Sequence, residues 1–133
     1  IVLYKHPFPS PRFQFLHTYE THVEDGVIIL SLSHAEQGLF NPGQYYNVAG
    51  HAFAEAYVKG HPAYDYPAID NDFWSTNEKM CGFSQESILA TLGFESIDPL
   101  PVMINNYFTY TEKTKQFFPG AFKKLDNIFR IST

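Results

Sequence analysis

A single cysteine, Cys81, occurs in the 133 residues, so no disulfide can form within the chain and cysteine usage leaves the redox compartment open. It reads as a small buried or half-buried side chain rather than a nucleophile. No apolar run of about eighteen residues is present, which excludes a membrane-spanning helix, and no basic segment leads into an apolar one as in a secretory leader. A cytoplasmic location is the expectation that accompanies these absences. Basic residues are also few: nine Lys and Arg stand against fourteen Asp and Glu, for a formal charge of −5. Nucleic-acid binders carry basic patches, so nucleic acid is not expected as a partner. Lys113, Lys115, Lys123 and Lys124 cluster near the C-terminus and read as a solvated helix face. There is no phosphate loop, no dinucleotide fingerprint and no Ser-His-Asp order.

What the chain does have is aromatic bulk. Thirteen Phe and nine Tyr imply large packing units and an apolar cleft. The length suits one domain over 1–133. Ile1-Val2-Leu3-Tyr4 reads as a strand from the first residue, and a chain that starts with Ile suggests further sequence upstream. Pro7, Pro9 and Pro11 then bar regular structure. A polar segment with His17, Glu20, His22, Glu24 and Asp25 turns at Gly26, and the five-residue spacing of His17 and His22 suggests exposure. The run from Val27 to Leu32 is the strongest strand and is expected to be central.

Gly38 and Asn41-Pro42-Gly43 mark a loop, followed by a helical pattern over 44–59 that Gly60 and Pro62 end. Residues 61–84 read as a long irregular loop with at most a short helix. A helix is expected after Ser84, ending at Gly93. Asp98-Pro99-Leu100-Pro101 reads as a connector, and the last two helices are expected over 105–117 and 119–129.

The most informative stretch is His51-Ala52-Phe53-Ala54-Glu55. In HExxH helices two imidazoles at i and i+4 share a face and hold zinc, and the Glu between them is the general base. Here His51 stands at the first ligand position, Ala52 at the base position and Glu55 at the second ligand position. His34 and His61 are weaker candidates, His61 as a replacement ligand at the helix end.

Five landmarks occur in order: the Ile1 strand, Gly26-Val27-Ile28-Ile29-Leu30-Ser31, Asn47-Val48-Ala49-Gly50-His51-Ala52-Phe53-Ala54-Glu55, Ser96-Ile97-Asp98-Pro99, and an aromatic helix with Thr111-Glu112. Together they resemble the MtfA family of zinc peptidases, whose helix reads Asn-Val-x-x-His-Glu-Phe-Ala-His and whose downstream helix supplies a carboxylate ligand. The resemblance covers almost the whole chain apart from N-terminal helices that it lacks. It implies a zincin-like α+β fold, with a small twisted sheet packed on a buried signature helix and a mostly helical C-terminal half. It also implies that His51, Glu55 and Glu112 are the metal positions.

Two readings follow from that resemblance. The first is a degenerate, catalytically inactive metallopeptidase-like domain that binds a protein or peptide or acts in regulation, as MtfA proteins contact a transcriptional repressor. In it zinc is absent or weakly bound, and His51 and Glu55 form a hydrogen-bonded pair, with a protonated His51 lying between Glu55 and Glu112. The second is a metal-dependent hydrolase that uses His51, Glu55 and Glu112 as ligands with a non-standard base. A site with one nitrogen and two carboxylates would suit Mg, Mn or Ca about as well as zinc. Without a base at Ala52, proton transfer loses roughly two to four orders of magnitude in rate.

Overall fold

The structure is a computed structural model that describes residues 1–130. It is an α+β protein with a three-stranded sheet and seven helices among those residues. Strands β1 (Val2–Tyr4), β2 (Tyr19–His22) and β3 (Val27–Ser31) lie in the order β1-β3-β2. The Val27 strand is therefore central, as its unbroken apolar character suggested. It pairs in parallel with β1, Val2 against Ile29, and antiparallel with β2, Tyr19 against Leu30 and Thr21 against Ile28.

Strand β2 lies within the segment read as polar, where no strand was expected. Its period of two sends Tyr19 and Thr21 to one face and Glu20 and His22 to the other. Apolar alternation is absent because both faces bury hydrogen-bonded polar groups. A short 3-10 turn (Val23–Asp25) closed by Gly26 returns the chain to β3.

The helices are α1 (Leu32–Phe40), α2 (Val48–Gly60), α3 (Phe73–Cys81), α4 (Gln85–Leu92), α5 (Pro99–Thr109), α6 (Thr111–Phe117) and α7 (Pro119–Phe129). Helix α2 begins at Val48 rather than Gln44. The amides of Gln44 and Tyr45 turn back onto the Asn41 carbonyl, and the Asn47 side chain caps the helix by accepting from Gly50 N at 2.9 Å. Helix α4 is as expected: the Ser84 hydroxyl accepts from Ser87 N, and Gly93 leaves the helix at φ 88°.

Two expectations need correction, and the short helix allowed within 61–84 is now placed. Residues 32–40 form a helix that continues directly from β3. Residues 73–81 form α3, whose buried stripe of Phe73, Asn77 and Met80 has helical spacing but contains an amide. Asp98-Pro99 is a helix start, with Pro99 in the first turn and the Asp98 carboxylate accepting from Leu100 N at 2.9 Å.

The helix expected over 105–117 is broken at Tyr110 into α5 and α6. Buried Thr114 reaches back across the break and donates to the Asn106 carbonyl, which also receives Tyr110 N.

Helix α2 lies at the centre, against β2 and β3 on one side and α5 on another. A single apolar core runs from Tyr19 and Leu30 of the sheet through Val48 and Ala52 to Val102, Ile104 and Leu125. No described helix is long and apolar enough to cross a membrane.

Candidate functional site

Helix α2 presents His51, Ala52 and Glu55 toward the sheet and the core. His51 is 0% exposed. Its Nδ1 lies 2.7 Å from the Tyr46 hydroxyl, and its ring meets the Tyr19 ring edge-on at 5.2 Å. The bond to Tyr46 is the only hydrogen bond the ring makes among the described residues. Nε2 has no hydrogen-bond partner. Burial without a compensating charge pulls the His51 pKa down to about 3. The protonated His51 between two carboxylates is thus corrected: the imidazole is neutral, and no hydrogen bond joins it to Glu55.

Ala52 is also 0% exposed and belongs to the apolar core. The base position of the peptidase pattern therefore faces packed side chains rather than a cleft. Glu55, half-buried, accepts from the Tyr19 hydroxyl at 3.0 Å and the Thr21 hydroxyl at 2.7 Å, with Lys59 Nζ at 3.5 Å. Burial, then the Glu55 charge, holds the Tyr19 hydroxyl protonated far above the ordinary tyrosine range. The strand periodicity explains the arrangement, because only Tyr19 and Thr21 of β2 face this helix.

Glu112 is exposed in the first turn of α6, past the break at Tyr110. His51, Glu55 and Glu112 are not brought together. Among the described residues the one group of three whose ligand atoms lie within 4.8 Å of one another is His22, Glu24 and Asp25, of which the two acids are exposed. The orphaned Nε2 of His51 could take one bond, but neither proposed carboxylate converges on it, so these residues do not fit a three-ligand metal centre. His61 caps the exposed end of α2, stacked between Tyr57 and Tyr64, about 15 Å along the helix axis from His51.

The N-terminal segment holds a cluster that sequence reasoning missed. His17, expected at the surface, is fully buried. Its Nδ1 meets the Phe15 carbonyl at 2.8 Å and its Nε2 meets Glu20 Oε1 at 2.9 Å. The Ser10 hydroxyl donates to the same oxygen, and His22 Nε2 lies 2.9 Å from Oε2. A carbonyl can only accept, so Nδ1 carries a hydrogen, and Nε2 is turned to the Glu20 carboxylate. Burial works against the Glu20 charge, but the hydrogen bonds from Ser10, His22 and His17 outweigh it and hold the carboxyl below the ordinary range. The visible signal was the His-x-x-Glu-x-His pattern in a segment with few other charges.

On the opposite side of α2 lies an apolar groove of about 530 Å³ between α2, α5 and α7. Phe53 and Phe108, 49% and 48% exposed, form its lips, and Tyr57 and Phe129 its walls. Burial raises the Cys81 thiol pKa, which suits an inert side chain.

Comparison with protein-family models, with curated proteins and with solved structures gives no match to this chain.

Proposed function

We propose that this protein is a non-catalytic domain of zincin-like, MtfA-type descent that binds a protein partner through an apolar segment. The observation that carries this reading is Ala52, packed in the core where a peptidase needs its base. Around it His51 is engaged by Tyr46, Glu55 by two hydroxyls and Lys59, and Glu112 faces solvent on another helix. The groove edged by Phe53 and Phe108 supports the second half of the proposal, since exposed aromatics around a concavity suit bulky apolar side chains of a bound segment.

Two measurements test the reading. The purified 133-residue chain, dialysed free of loose metal, is expected to retain far less than one zinc per chain and to cleave no peptide in a mixed-peptide digest. Chelator-sensitive cleavage, or one tightly held zinc per chain, would overturn the non-catalytic reading. Peptides selected from a random displayed library should be rich in aromatic and large aliphatic residues, and their binding should weaken at least about tenfold in Phe53→Glu. Selected peptides indifferent to both Phe53→Glu and Phe108→Glu would remove the groove from the proposal.

A further inference from the structure

A second concavity, of about 270 Å³, opens on the other side of α2, between the edge of β2 and the segment that leads into α5. Its chemistry differs from that of the groove. Arg12 and Lys59 both reach one residue of its wall: Arg12 Nη1 donates to the Thr21 carbonyl at 3.2 Å, and Lys59 Nζ donates to the Thr21 hydroxyl at 3.2 Å. Two cations therefore converge on the same corner.

Most of the charge around this pocket is already matched. Glu20 is enclosed by Ser10, His17 and His22. Glu55 is balanced by Lys59, with two hydroxyls on its oxygens. Asp98 caps α5, where the helix N-terminus stabilises a negative charge. Arg12 is the exception: among the described residues no carboxylate lies within 4.0 Å of it, and its guanidinium uses one donor on a carbonyl while resting over the Phe13 ring at 5.3 Å. A guanidinium has five donors in a planar fork that matches a carboxylate. Beside the charged corner the wall is apolar, formed by Phe13, Phe94 and Ile97.

We propose that this pocket binds a small organic acid with an apolar tail, the carboxylate on Arg12 with Lys59 beside it and the tail against Phe13, Phe94 and Ile97. The volume sets the size. At about 270 Å³ the concavity lies just below the roughly 300–1,000 Å³ typical of small-molecule sites, so it suits a ligand of one ring or a short branched chain. An aryl-acetate fits this size, and a branched-chain acid does too. An extended peptide does not, although the terminal carboxylate and last side chain of one would present the same chemistry. The site stands apart from the groove and does not depend on the binding role proposed for it.

Titration of the 133-residue chain followed by backbone amide NMR tests the assignment, with phenylacetate as probe and phenylacetamide, acetate and an acetylated peptide ending in phenylalanine as comparisons. Phenylacetate should shift the amides of Arg12, Thr21, Phe94 and Ile97 in a saturable way. Phenylacetamide lacks the charge and acetate lacks the tail, and each should bind at least about tenfold more weakly. Arg12→Gln should abolish saturation while leaving the rest of the spectrum in place, and Arg12→Lys should be intermediate, because it keeps the charge and loses the fork. Phe53→Glu, in the separate groove, should bind phenylacetate as the unaltered chain does. Equal binding of phenylacetamide, or undiminished binding in Arg12→Gln, overturns the proposal. Saturation by the peptide alone would overturn it in favour of a chain terminus.

Discussion

His51 combines complete burial with a neutral ring, and that combination sets a pH dependence. In the unfolded chain the imidazole takes its proton near 6.5, and in the folded protein only near 3. Between those values the unfolded state binds more protons, so the stability present above pH 6.5 is lost as the pH falls, at up to about 1.4 kcal/mol per pH unit. His34, whose pKa burial also lowers, acts in the same direction. The Glu20 carboxyl, held below its ordinary range, adds a further loss only at lower pH. Urea midpoints between about pH 7 and pH 5, above the carboxylate range, should therefore fall, and the slope should flatten in His51→Gln. A midpoint constant over that interval would show that the ring is not held neutral by burial. The residue that draws the eye in the sequence as a metal ligand is here a buried packing group with one hydroxyl partner.

At the scale of elements, the signals that were legible are the ones written by local backbone chemistry. Ser84 and Gly93 bound α4, and Gly60 and Pro62 mark the end of α2, because capping and breaking act within a few residues. The continuous apolar run of β3 showed that it was central. Strand β2 was illegible because its apolar alternation is replaced by buried polar groups, Glu20 held by Ser10, His17 and His22 on one face and Thr21 by Glu55 on the other. Helix α1 was illegible for a related reason: Gly38 read as a breaker, whereas it is the point where α1 touches the chain entering α2. A Cβ there would stand 2.7 Å from both Asn47 Cα and the Tyr46 carbonyl oxygen, backbone atoms that no rotamer change can move. Gly38→Ala should cost about 1–3 kcal/mol. Gly120, in α7, has nothing within 4 Å of such a Cβ, and Gly120→Ala should instead be neutral or stabilise by up to about 1 kcal/mol. Thermal midpoints moving the same way in both variants would contradict the close approach at Gly38. The candidate site divides along the same line: the α2 positions of His51, Ala52 and Glu55 could be read from spacing, but Glu112 could not be placed, because the break at Tyr110 depends on Thr114 reaching back to Asn106.

At the scale of the molecule, one question is whether the C-terminal helices form a separable layer over the sheet and α2. The packing says they do not. Leu125 of α7 is fully buried in the core that contains Ala52 and Leu30, and Tyr107 of α5 bridges to α7 through its hydroxyl, which donates to Asp126 at 2.6 Å. Helix α3 joins the same body, since Phe73 lies in that core and meets the Phe118 ring at 5.6 Å. Removing the Leu125 side chain should thus weaken every element together. Leu125→Ala is expected to cost about 2–5 kcal/mol, a large share of the roughly 5–15 kcal/mol typical of a folded domain. Trp74, the only tryptophan, reports on α3 by fluorescence, while far-ultraviolet circular dichroism reports on all helices. In urea the two signals should move to a lower midpoint and remain coincident, because one core admits one cooperative transition. If the dichroism midpoint fell while the Trp74 midpoint stayed, α7 would be an independently melting layer, and the groove it shares with α2 and α5 would open and close without the rest of the fold.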